Sequence, residues 1–224
     1  MNPVDSYAGR IHTFFMRLHL LPLLSVAFLG MTLLLSVGCG APQESYGDDY
    51  KVIIDPNFSA EDTTALLDGI TAWETISNGL LHLNPVIGTG GECSGKPAAH
   101  VLCVHTSDVA TIVRLGGESS FVGYTQREDN DGASLFIPVS KDVGYSAAQM
   151  TIIFSHELGH CFGLSHIKEL GIGVMFPGFN GATALPTCVD YAQLTSMRNG
   201  ASFNDNPVCK GKSTSYTIDD TPGK

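Results

Sequence analysis

The chain has 224 residues and a mass of 23.8 kDa, enough for one globular domain of ordinary size plus a leader or tail. Its 22 acidic and 12 basic side chains give a formal net charge of −10, a balance that excludes wrapping nucleic acid, because phosphate contacts need clustered Lys and Arg. The 43% hydrophobic content and the lack of any internal repeat exclude wholesale disorder and collagen-like repetition.

The first element is a leader. Residues 20–37 are an uncharged, apolar run (LLPLLSVAFLGMTLLLSV) preceded by Arg10, Arg17 and His19, the pattern of an export signal, with Met16 as an alternative start. Leu35-Ser36-Val37-Gly38-Cys39 resembles a bacterial lipobox, with Ser36 where Leu is more usual. That resemblance implies lipidation of Cys39, which becomes the first mature residue, and Gly40 in place of Asp implies the outer membrane. An uncleaved anchor and plain secretion are the other readings, since 18 apolar residues just cross a bilayer. Residues 1–38 are thus read as a lipoprotein-type signal peptide, 39–49 as a tether, 50–200 as the folded domain and 201–224 as a polar C-terminal tail. Export places Cys93, Cys103, Cys161, Cys188 and Cys209 in an oxidising compartment, where pairs are expected and one thiol is left over. Two bridges among five cysteines allow 15 arrangements; proximity and context favour Cys93–Cys103 and Cys188–Cys209, with Cys161 alone in a helix.

Residues 50–55 (YKVIID) read as a strand stopped by Asp55-Pro56. Ser59-Ala60-Glu61-Asp62 looks like a capping box with Asp62 in the Glu/Gln role. Leu66, Leu67, Ile70, Trp73 and Ile76 follow at helical spacing, so the pattern predicts a helix over 60–77 anchored in the core by Trp73. Residues 84–98 read as Gly- and Pro-rich loop, 100–105 as a short strand and Gly116-Gly117 as a turn. Residues 122–126 and 133–139 read as two strands around the polar loop 127–132. A long helix over 146–162, breaks at Gly163 and Gly171/Gly173, and a third helix over 186–197 complete an order that predicts a small α+β domain.

The stretch that carries chemistry is Ser155-His156-Glu157-Leu158-Gly159-His160-Cys161-Phe162-Gly163-Leu164-Ser165-His166. His156 and His160 are four apart on a helix, so both imidazoles leave one face and can reach one metal ion. Catalytic zinc takes three protein ligands and leaves a position open, and Glu157 can reach that position without binding the metal. His166 would lie about 15 Å from His156 along an uninterrupted helix and could not share the ion. Gly163 between them accepts the left-handed conformation that ends a helix and returns the chain.

HELGHCFGLSH resembles the HExxHxxGxxH motif of the metzincin zinc metallopeptidases, and Met175 in GVMFPG looks like their Met-turn. The nine-residue step from His166 to Met175 is similar to that of the matrixin branch, and the resemblance covers roughly residues 50–198. It implies a zincin-like metzincin catalytic domain: a twisted, mixed five-stranded sheet, an active-site helix and a C-terminal helix. It implies one catalytic Zn2+ on His156, His160 and His166, Glu157 as general base, and Met175 as an apolar floor. It also implies residues 133–139 as the antiparallel edge strand on which substrate extends, and the loop after Pro177 (Gly178-Phe179-Asn180) as a pocket lining. Matrixins commonly carry a pro-segment whose Cys blocks the zinc; the short step from Cys39 to the first strand leaves no room for one, and Cys161 turns away from the metal. His82, His100 and His105 do not have the spacing expected of a structural zinc site. Glu128, Asp129 and Asp131 lack the full calcium-loop pattern, so Ca2+ is unsupported and a solvated turn is the reading.

The expected function is therefore a secreted or surface-tethered zinc endopeptidase, matrixin-like, acting on a peptide or protein substrate. No nucleic acid is expected as a partner; a membrane is, through the N-terminal lipid, and a monomer is the expected state. The alternatives are an inactive binding protein of the same fold, or a zinc amidase acting on a non-peptide or cell-wall substrate.

Overall fold

The computed structural model describes residues 48–117, 123–179, 181–198 and 200–219. The signal peptide, Cys39, residues 40–47, Val122, Asn180 and residues 220–224 lie outside them. Among the described residues no helix is long and apolar enough to cross a membrane.

The architecture is α+β. β1 (Asp48–Ile54), β2 (Leu81–Ile87), β3 (Val101–Thr106), β4 (Tyr124–Arg127) and β5 (Ala133–Ile137) form one mixed sheet in the order β2-β1-β3-β5-β4. β1 is parallel to both neighbours and β3 is parallel to β5, while β4 alone runs antiparallel, against β5. The antiparallel edge is thus β4 and not residues 133–139. The polar loop between them closes a hairpin, with Glu128 N donating to Gly132 O at 2.8 Å, and this leaves β5 inside the sheet.

The second half of β2 occupies residues first read as loop. Parallel pairing with β1 recruits them, and Pro85 is tolerated because β2 is an edge strand that needs no donor on its outer side. A further short helix, α2 (Val109–Leu115), is capped by Asp108, which accepts from Thr111 N at 2.8 Å, and closes at Gly116 with φ 117°.

α1 (Ala60–Ser77) starts as expected at Ser59, whose Oγ accepts from Asp62 N at 3.0 Å. Asp62 does not return to the cap. Its buried carboxylate accepts instead from Ser140 N, at the start of the one-turn helix α3 (Ser140–Val143). α1 packs against α4 (Ala147–Cys161), and Gly69 lets the two backbones approach, because a Cβ there would press on Ser155 Oγ. Trp73 is fully buried at that junction, with Nε1 donating to Ser155 O at 2.8 Å and its ring edge-on to Phe162.

Beyond α4 the chain has little regular structure: β6 (His166–Ile167), α5 (Cys188–Ser196), a 3-10 turn at Phe203–Asp205 and β7 (Ile218–Asp219), which pairs antiparallel with β6. Two disulfides join Cys93 to Cys103 and Cys188 to Cys209, and the Cys161 thiol is free and buried.

Candidate metal centre

α4 is laid down by a complete capping box: Ser146 Oγ accepts from Gln149 N, and Gln149 Oε1 accepts from Ser146 N. The helix ends fifteen residues later in a Schellman turn. Gly163, at φ 92°, donates to His160 O, and Leu164 N reaches back to Gly159 O, both at 3.0 Å. Only a residue without a Cβ takes that φ at little cost. The turn carries the chain back so that His166 faces the two histidines of the helix.

The Nε2 atoms of His156, His160 and His166 lie 3.1 Å from one another in all three pairs. Among the described residues they form the one cluster of three groups able to hold a metal. For the two helical histidines the other ring nitrogen fixes what Nε2 is. His156 Nδ1 donates to Val174 O and His160 Nδ1 to Leu164 O, both at 2.9 Å, because a carbonyl can only accept. In that tautomer Nε2 is a bare lone pair. The two lone pairs, held 3.1 Å apart, repel, and a cation relieves them. An edge of 3.1 Å also lets one point lie at the ~2.0–2.1 Å of a zinc–imidazole bond from each corner. Protonation is disfavoured as well. Burial, and then the neighbouring imidazoles, push His156 well below its usual value, and burial followed by His166 takes His160 down to about 4.

Glu157 follows His156 in α4 and is buried. Burial raises its carboxyl to about 7, and the Thr125 hydroxyl, which donates to Oε2 at 2.6 Å, works against that rise. Thr125 belongs to β4, and a Cβ on Gly123, just before that strand, would run into the Glu157 carboxylate. The edge strand and the acid are therefore in direct contact.

Met175 is fully buried beneath α4, where Gly159 leaves room for its sulfur and for the rim of Trp73. The turn carrying it is held by Asp190, whose carboxylate accepts from Val174 N at 3.0 Å, Met175 N at 3.3 Å and Thr187 N at 2.7 Å. The last of these is half of the α5 capping box, so one side chain starts a helix and secures the carbonyl that orients His156. Gly173 serves this contact by space: a Cβ there would press on Asp190 Oδ1. Gln193, one helical turn on, binds both backbone groups of Ser165, accepting from its N and donating to its O.

Thr125, Asp190 and Gln193 were not among the expected site residues. Thr187-x-x-Asp190 is a capping signature visible in the sequence, whereas nothing in the sequence marks Thr125 or Gln193. The other candidates lie elsewhere. His105 stacks on Phe136, His100 packs against Tyr50, and His82 is exposed on β2. Glu128 pairs with Lys96 and Asp131 with Arg127. Burial pushes the Cys161 thiol well up, which keeps it protonated.

No family model matches the sequence, and no curated protein matches it either. Among solved structures the chain is similar to metalloproteinase-II from Bacteroides fragilis, at 12% identity and a TM-score of 0.42, over 70% of this chain and 55% of that one. The chain thus spans little more than half the length of that neighbour.

Proposed function

We propose that the chain is a zinc-dependent endopeptidase of matrixin-like type, exported and tethered to the cell envelope through Cys39. The observation that carries this reading is the convergence of the Nε2 atoms of three histidines, with the next residue after His156 a buried carboxylate that an edge strand holds in place. His156, His160 and His166 would hold the zinc, with Met175 as the apolar floor under them. Zinc, when bound, supplies Lewis acidity toward a substrate carbonyl and makes water easier to deprotonate.

The remaining steps belong to the protein. Thr125 occupies Glu157 Oε2, so Oε1 is the oxygen that takes a proton from the attacking water and passes it to the leaving amine. β4 offers an unpaired outer edge among the described residues, and a peptide adding to it lies beside Glu157. The opposite edge, β2, is blunted by Pro85, which cannot donate to an added strand. Extended substrate is therefore directed to the edge that carries Thr125.

Metal analysis combined with cleavage of an unbiased peptide library tests the reading. One zinc per chain and chelator-sensitive cleavage are expected. Glu157→Ala keeps zinc and loses about 10²–10⁴-fold in kcat, and full activity in that variant refutes the assignment. Thr125→Val keeps zinc and loses roughly tenfold, with Thr125→Ser restoring the rate. Stoichiometric zinc without peptide cleavage would favour a binding protein or a zinc amidase on a non-peptide substrate.

A further inference from the structure

The third ligand stands on a different footing from the first two. His156 and His160 share one capped helix, whereas His166 sits past Gly163 on a strand of two residues. Its backbone is held from three directions. Gln193 clamps Ser165 on one side of it, and Ile167 N donates to Met175 O at 3.1 Å on the other. The remaining edge of β6 is covered by residues 217–219. His166 lies opposite Asp219, Ile167 lies opposite Ile218, and Lys168 N donates to Thr217 O at 3.1 Å.

This segment is itself tied down. Thr217 N donates to Glu169 Oε2 at 2.9 Å, and Lys168 Nζ stands 3.7 Å from Asp219 Oδ1. Tyr216 packs against the core, and Cys209 upstream is bonded to Cys188 on α5. Residues directly opposite in an antiparallel pair share a face, so the Asp219 side chain is the cross-strand neighbour of the His166 imidazole.

We propose that residues 216–219 are a positioning element of the metal centre. They pair with the strand that carries His166 and hold its imidazole where the other two Nε2 atoms converge. This rests on the zinc reading above. A ligand on a helix inherits its position from the hydrogen bonds of every turn. A ligand on an isolated two-residue strand inherits it only from what pairs with that strand, and residues 216–219 supply one of its two edges. Without them the ordering of His166 must be met from metal-binding energy, and affinity falls.

The test compares the full mature chain with a truncation after Gly211 and with Asp219→Pro, which removes one backbone donor opposite His166. Zinc affinity is read by competition against a chelator, and coordination by the visible spectrum of the cobalt-substituted protein. Far-UV circular dichroism and thermal unfolding of the metal-free forms report the fold. The expected result is a metal-free fold that is retained, zinc affinity lowered by about 10- to 100-fold, and cobalt bands weakened as water replaces one imidazole. Affinity within twofold of the full chain and an unchanged cobalt spectrum overturn the role of residues 216–219 and leave the zinc reading standing. A full chain that binds no stoichiometric metal overturns both. If the truncated chain does not fold, Asp219→Pro decides by the same two readouts.

Discussion

Residues 48–161 and residues 164–219 build the metal centre by different means. The first region supplies His156 and His160 from a long capped helix on a five-stranded sheet, where backbone groups within the helix and between paired strands meet one another. The second supplies His166, Met175 and the carbonyl that orients His156 from irregular chain, whose backbone groups are met by the side chains of Asp190, Gln193 and Glu169. A buried amide must find an acceptor somewhere, so a segment without secondary structure borrows carboxylates and amides for the purpose. The consequence is an asymmetry. Geometry in the first region is set by packing, and in the second by a few polar contacts and a disulfide.

Trp73 tests the first half of that contrast, with the largest expected effect. Trp73→Ala removes the largest fully buried side chain and its added hydrogen bond to Ser155 O, at a cost of about 3–5 kcal/mol. Chemical denaturation should give the same loss with zinc and with chelator, because the damage lies in packing that the metal does not touch. A loss that zinc largely repairs would erase the distinction between the regions.

The two disulfides sharpen it. Cys188–Cys209 closes a separation of 21 residues and Cys93–Cys103 one of 10, so chain entropy gives each about 3 kcal/mol, the longer loop slightly more. Removing Cys93–Cys103 by double alanine substitution should lower stability and leave zinc affinity as it was. Removing Cys188–Cys209 should lower both, because it loosens the segment that leads to β7. Equal effects on zinc affinity would show that the regions are not separately braced.

Gly159 lies where the regions meet. Its missing Cβ makes room for Met175 Sδ and the rim of Trp73, so Gly159→Ala overpacks that contact at about 1–3 kcal/mol. The softer side should give way, so the Met175 turn moves and zinc affinity drops while the sheet keeps its unfolding midpoint in chelator to within that amount.

What could be read from the sequence divides along the same line. The spacing of Leu66, Ile70 and Trp73, the His156-to-His160 step and the need for a glycine at 163 are local signals that translate directly into helix, ligand pair and turn. The edge strand that the resemblance implied at 133–139 is instead 124–127, since parallel pairing with β3 places residues 133–137 inside the sheet. The clamps from Asp190 and Gln193, the hydroxyl of Thr125 and the pairing of β7 join residues far apart in the chain. A polar composition is what a solvated tail and a paired segment such as 217–219 have in common.

The smallest expected effect concerns protons at the junction. In the metal-free chain His156 lies well below its usual value and His160 at about 4, so between roughly pH 6.5 and 4.5 both are neutral when folded and charged when unfolded. The unfolded state then binds more protons, and stability falls as the pH falls through this window. Glu157 opposes this. Raised to about 7, it is protonated when folded and ionised when unfolded over the same range, which favours the fold as the pH falls. Two histidines against one carboxyl leave a net of about one proton, or a slope of about 1 kcal/mol per pH unit. Bound zinc would hold all three imidazoles unprotonated in the fold, so the histidine contribution persists with metal and His166 adds to it. Denaturation midpoints at pH 6.5 and 5.5, with and without chelator, measure the difference. His160→Gln should flatten the chelator curve by one histidine's share, and an unchanged slope in that variant would place the titrating groups outside the metal centre.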